Sequence, residues 1–274
     1  MEYNDSISIK FFLIHFTPLQ DESILKILTY LDLKSLNSVS QVNRYFNGIA
    51  HDSLLYTSLN LKPYWPCIDV AVLNNLASKC QYLCKLDLSW CGNYDQISSD
   101  NFITFLLTCG SSLTNLRLNC CKFVTDPVVQ EVASTCKNIK GSFFLQFQNL
   151  FLLSCVSIYN CYVSELGLRN CTNITKNGFS PLITLSHLER LDLYRTLIET
   201  NILCSILKEN VNMRHLNLAS MHERLNMDEI SQSLAAYCPN LESIDFWKAH
   251  TFTVSGLKLL SNCRSLKEVD FGWW

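Results

Sequence analysis

From Leu55 onward the chain alternates two hydrophobic textures. A short cluster of the form L-x-x-L-x-L is followed by a longer segment whose apolar residues recur at helical spacing. The stretch CQYLCKLDLSWC, Cys80 to Cys91, shows the first texture most fully. Copies follow at Leu113-Leu116-Leu118-Cys121, Leu188-Leu191-Leu193-Thr196 and Met213-Leu216-Leu218-Met221, then at Leu241-Ile244-Phe246-Ala249 and Leu266-Val269-Phe271-Trp274. The central residues Leu166, Leu191, Leu216, Ile244 and Val269 follow one another at 25, 25, 28 and 25 residues. Within each cluster the last two apolar residues alternate along an extended chain, so both point to one side. The second texture is clearest in TDPVVQEVASTC, where Val128, Val129, Val132 and Ala133 share one helical face. One such unit cannot bury its own apolar face, so units must stack. The pattern predicts an α/β solenoid, curved, with a parallel sheet on its concave side and helices on its convex side.

The texture before this is different. Between Leu19 and Tyr56 strand alternation is absent and three helical patches appear. Ile24, Leu25, Leu28 and Leu31 have amphipathic spacing, with Asp21 and Glu22 in the first turn, where the helix dipole favours acids. Asp32 can cap a second helix carrying Leu36 and Val39, and Asn43 a third carrying Phe46, Ile49 and Ala50. Gly48 weakens that third helix. Residues 1–15 have an apolar run broken by Lys10, without a basic leader or cleavage site; a poorly ordered start is expected there. The expected organisation is a helical module over 16–56 and repeats over 57–274, with Leu59 and Leu61 supplying an incoming half-repeat strand. The end at Trp274, straight after a repeat strand with no polar cap, reads as a truncation.

One stretch breaks the arithmetic. Residues 141–164, GSFFLQFQNLFLLSCVSIYNCYVS, carry no charge and follow neither period. Removing them and joining Lys140 to Glu165 gives CKNIKELGLRNC, a complete repeat, so 141–164 reads as an insertion in the third repeat. An uncharged run of about 20 residues can span a bilayer, but Gln146, Gln148, Asn149 and Asn160 interrupt it. No stable membrane insertion is expected.

Composition narrows the chemistry. A net charge of -2 on 274 residues gives no long-range attraction to nucleic acid. Most of the 14 cysteines fall at repeat positions, where buried cysteine acts as a small hydrophobe. Reduced thiols in an intracellular, cytoplasmic setting are therefore expected. Phosphate-loop, metalloprotease and nucleophile-elbow motifs are absent, and the histidines are scattered. Neither a cofactor nor a metal is expected, and the chain reads as a non-catalytic binding protein.

Counting the first leucine of each cluster as position one, positions three, five, seven and eight are expected on the concave side or its edge. Position five reads Asp87, Arg117, Gly167, Asp192, Asn217, Asp245 and Asp270. Arg117, with the residues at positions seven and eight, forms the candidate recognition set: Trp90, Arg169, Tyr194, Arg195, Trp247, Lys248 and Trp273. Large aromatics and arginines dominate interface energetics. At Asp87 and Asp270 a scaffold role and a recognition role stand level.

The period and the L-x-x-L-x-L-x-x-C pattern are those of leucine-rich repeats, and the recurring cysteines resemble the cysteine-containing subclass. Leu19, Glu22, Ile27, Tyr30-Leu31-Asp32-Leu33, Val39, Val42, Phe46, Leu54 and Tyr56 resemble an F-box. Two departures are Gln20 for a proline and Asn43 for a cysteine. The whole is similar to F-box/leucine-rich-repeat proteins. That resemblance implies a further domain before the F-box, and an F-box that docks on the Skp1 adaptor, and through it on a cullin, by Leu19, Ile24, Leu28, Leu31, Leu36, Val39 and Phe46. It implies repeats that present an unknown protein substrate for ubiquitination, and it admits the nucleus or mitochondrial outer surface as compartments. The other reading is a plain leucine-rich-repeat scaffold or inhibitor with no ligase role.

Overall fold

The structure is a computed structural model that describes residues 20–136, 162–221, 225–249 and 251–272. The chain divides into two compact units, Met1–Leu55 and Tyr56–Trp274. Most of the insertion, and the start at 1–15, lie outside the described residues.

The first unit has three short helices, α1 Asp21–Leu28, α2 Leu33–Ser40 and α3 Arg44–Ala50, with α1 and α2 packed on α3. Asp32 and Asn43 cap as the sequence predicts: each side chain accepts from a backbone N–H three residues on, Ser35 at 2.8 Å and Phe46 at 2.9 Å. Leu25, Leu28, Leu36 and Ala50 are buried.

In the second unit eight three-residue strands form one parallel sheet in chain order: β1 Ser58–Asn60, β2 Lys85–Asp87, β3 Asn115–Arg117, β4 Glu165–Gly167, β5 Arg190–Asp192, β6 His215–Asn217, β7 Ser243–Asp245 and β8 Glu268–Asp270. The register aligns Leu59, Leu86, Leu116, Leu166, Leu191, Leu216, Ile244 and Val269 in a single row. All but Val269 are buried. Asn115 of β3 pairs with Glu165 of β4 although 50 residues separate them. Past each strand the ladder continues: Leu88 donates to the Arg117 carbonyl at 2.9 Å and Trp90 to that of Asn119 at 2.8 Å. This is a leucine-rich-repeat solenoid.

The connecting segments supply α4 Val70–Ala77, α5 Ser99–Cys109, α6 Asp126–Thr135, α7 Thr200–Glu209, α8 Met227–Tyr237 and α9 Val254–Leu260. After β4 the segment Asn177–Thr184 is a 3-10 helix with Pro181 inside it, where proline removes an α-helical hydrogen bond. A side-chain staple joins successive units. Asp126, at the start of α6, accepts from both the N–H and the hydroxyl of Thr175 at 2.7 and 2.5 Å. Asp228 of α8 does the same for Thr253 at 3.1 and 2.5 Å. Gly178 and Gly256, three residues after those threonines, leave the room, since a Cβ at either would overlap the aspartate.

The cysteines do more than fill space. At position nine, Cys121 donates its thiol hydrogen to the Leu88 carbonyl at 3.0 Å and Cys171 to that of Leu118 at 3.1 Å. Each thiol thus ties its unit to the one before. Burial pushes the Cys91 and Cys171 thiols up to about 12, so the hydrogens stay in place. None of the described cysteines is in a disulfide.

Candidate functional site

Two surfaces remain once the packing is accounted for, one on each unit. On the helical unit the alternation along α1 decides which residues face out. Leu25 and Leu28 turn inward, which leaves Ile27, two positions from Leu25, on the other side. Ile27 is 53% exposed, Tyr30 79% and Val42 65%; Leu31 and Tyr45 are exposed as well. Tyr45 is held by its hydroxyl, which donates to Asp21 at 2.6 Å, and Lys26 lies 5.9 Å from the Tyr30 ring centre. Isolated exposed apolar residues are ordinary, whereas several on so small a unit make it a candidate interaction surface.

The sequence-derived docking set is divided by this geometry. Leu31 is exposed, and Ile24, Val39 and Phe46 are half-buried. Leu28 and Leu36, at 5% and 4% exposure, lie in the interior of the helical unit. Leu19 lies outside the described residues. Ile27, Tyr30 and Val42 were left out of that set although they match the motif and are more exposed than most of its members. Spacing within that motif could have found Ile27 and Tyr30, which fall between the buried leucines Leu25, Leu28 and Leu36.

On the repeats, position five from β2 to β8 and position three from β4 to β8 line a groove along the sheet face, with Asp87, Arg117, Glu165, Arg190, Asp192, Asp245 and Asp270 among its charged walls. Arg117 meets Glu165 at 2.5 Å and lies 3.8 Å from Asp87. Burial raises the Glu165 carboxyl, but hydrogen bonds from Arg117 and Asn115 outweigh it and hold the group below its ordinary range. Arg117 is therefore partnered within the fold.

Position five resolves in favour of the scaffold. The Asp87 carboxylate accepts from the Ser89 N–H at 2.9 Å, Asp192 from Tyr194 at 3.0 Å, Asp245 from Trp247 at 2.9 Å and Asp270 from Gly272 at 2.8 Å. Asn217 does the same for Ala219 at 2.9 Å. These position-seven N–H groups would otherwise be left unpaired at the end of the strand. Asp192 and Asp245 are raised by burial, against which the hydrogen bond works.

Position eight has a geometry of its own. Trp90, Cys120, Asn170, Arg195, Ser220 and Lys248 all have φ between 52° and 73°, the left-handed region that favours glycine. This turn swings the chain out of the sheet and sets positions seven and eight on the edge formed by the loops. There the Arg169 guanidinium lies 4.0 Å from the Tyr194 ring centre and Lys248 lies 4.2 Å from that of Trp247. Trp90 is 48% exposed and Arg195 is exposed. Tyr194 and Trp247 are half-buried, and Trp247 covers Gly272 so closely that a Cβ there would collide with its ring. Trp273 lies outside the described residues. Among the described residues no cluster of His, Cys, Asp and Glu could hold a metal, and no helix is long and apolar enough to cross a membrane.

Comparison with known proteins bears on both surfaces. A family model described as F-box-like matches residues 21–62. The bovine (Bos taurus) F-box/LRR-repeat protein 4 is 32% identical over 260 residues, covering 94% of this chain and 38% of that protein. The chain is an F-box/leucine-rich-repeat protein. It spans 38% of the length of that curated relative. F-box/LRR-repeat protein 12 of Arabidopsis thaliana is 31% identical over 96 residues, 35% of this chain and 20% of that protein. A crystal structure of the Rad7 and Elc1 complex in yeast aligns at a TM-score of 0.32 and 15% identity, over 69% of this chain and 62% of that one, too distant to bear on function. In this F-box/leucine-rich-repeat protein the exposed apolar helices fall within the F-box match and the cation–aromatic pairs fall in the repeats.

Proposed function

We propose that the chain is the substrate-recognition subunit of a Skp1-cullin-F-box type ubiquitin ligase. Its F-box helices dock on Skp1 and so reach a cullin, while its repeats hold the protein to be ubiquitinated. The observation that carries this is the apolar face of Ile27, Tyr30, Leu31 and Val42, left exposed on a unit that the family match identifies as F-box-like. The chain supplies no bond-making chemistry in this reading. It works by proximity, since tethering two reactants sets their effective concentration by geometry alone.

Co-expression with Skp1 tests it. The chain is expected to co-purify with Skp1, and Tyr30→Asp with Val42→Asp should abolish capture without unfolding the helices, because both side chains are already in water. Leu28→Asp is a poor probe, since it places a charge in the interior. A chain that stays folded and never captures Skp1 is a plain leucine-rich-repeat scaffold or inhibitor.

A further inference from the structure

The loops that follow β3 to β7 differ in charge from the sheet face beside them. They carry Lys122, Arg169, Arg195 and Lys248, all exposed, and none is ion-paired with a described residue. The described carboxylate in these loops, Glu199, is already held by Lys176 at 3.1 Å. Asp192 and Asp245 feel the charge of Arg169, but each is engaged by a backbone N–H. Neighbouring strands are about 5 Å apart, and the screening length in physiological salt is about 8 Å. Cations on adjacent loops therefore act on a ligand together.

Two of these cations are fixed in place. Arg169 is stacked on Tyr194, and Lys248 on Trp247, so little side-chain freedom is lost when they bind. Arg195 and Lys248 also occupy left-handed backbone, where glycine would be relaxed. The chain has 8 glycines, yet every left-handed position eight described here bears a side chain. The sheet-face groove from β5 onward, by contrast, is walled by four acids, Asp192, Asp245, Glu268 and Asp270, against one arginine, Arg190. An anionic ligand is repelled there and attracted to the loops, and such opposed fields give specificity.

We propose that the loop edge after β3, β4, β5 and β7 binds an acidic, carboxylate-rich segment of the recognised protein, with Lys122, Arg169, Arg195 and Lys248 as its contacts. This rests on the reading of the repeats as the arm that holds that protein. Charge complementarity selects the occupant, and the aromatic supports suit a peptide that carries rings among its acids.

The test uses the full chain and fluorescence anisotropy with a short labelled peptide of glutamate and tyrosine, beside its lysine counterpart and phosphatidylserine vesicles. The acidic peptide is expected to bind and to be weakened by salt. Arg195→Gly with Lys248→Gly should reduce its affinity about ten-fold while leaving the melting temperature equal or higher, because glycine relaxes both turns. Binding of the lysine peptide as well as the acidic one, preference for the vesicles, or an unchanged affinity in the glycine variant overturns the proposal. Skp1 capture is scored on the same preparation. Capture without acidic-peptide binding refutes the edge and leaves the ligase reading standing, whereas salt-sensitive peptide binding without capture does the reverse.

Discussion

The helical unit and the repeats use the same kinds of residue to opposite ends. In the repeats each central leucine is covered by the next unit, and the row from Leu59 to Ile244 is buried without a break. In the F-box unit Tyr30 and Val42, in the turns after α1 and α2, stand almost free while Leu25 and Leu28 of α1 are enclosed. A stack can always offer another neighbour to an apolar face. Three helices of seven or eight residues cannot, because so little of a small unit is interior. Apolar residues buried in the repeats therefore report on stability, and the exposed ones of the F-box unit do not.

The sharpest way to break this comparison is to truncate one residue of each kind. Leu191→Ala should cost about 2–5 kcal/mol in urea unfolding, whereas Val42→Ala should stay within about 0.5 kcal/mol. Comparable losses at the two sites would show that the F-box face is packed after all. Next in size is a pair of glycines. Gly178→Ala forces a methyl onto Asp126 and against Ile174, and should destabilise by about 1–3 kcal/mol. Gly48→Ala in α3 meets nothing within 4 Å and should stabilise by about 0.5–1 kcal/mol; thermal melts of the two variants should move in opposite directions.

The smallest effect concerns position five. Burial raises the Asp192 carboxyl above its unfolded value, so its ionised form is disfavoured in the fold. That penalty is full at neutral pH and vanishes once the pH falls below the unfolded value of about 3.9. Asp192→Asn keeps the acceptor for the Tyr194 N–H, as Asn217 does in the next repeat. It should therefore raise stability at pH 7 by under about 1 kcal/mol, and the gain should fade towards pH 3. A gain that persists in acid would mean the carboxylate's charge was not the cause.

The leucine row was legible because its period repeats and a two-residue alternation has only one buried side. The caps at Asp32 and Asn43 were legible because capping is local. Position five was not, since an aspartate that caps a backbone and one that awaits a ligand are written with the same letter. The burial of Leu28 and Leu36 was hidden for a different reason. An amphipathic pattern gives a stripe, and only the packing of α1 and α2 on α3 divides that stripe into interior and face. The cysteine pattern announced burial but not the hydrogen bonds to Leu88 and Leu118, because periodicity records apolarity and is blind to donors.

At the joint between β3 and β4 the scaffold departs from its own rule. Gly167 offers no side chain to cap Arg169, and the Asn119 amide oxygen reaches across from the preceding repeat to accept that N–H at 3.0 Å. It lies 2.8 Å from where a Gly167 Cβ would stand. Placing aspartate at 167 alone would drive it into Asn119, and removing Asn119 alone would strand the N–H. Each change is harmful singly and compatible jointly, which a double-mutant cycle would read as a coupling of about 0.5–3 kcal/mol. For inheritance the two sites are one character: a lineage that holds the Asn119–Gly167 arrangement cannot leave it by single neutral steps.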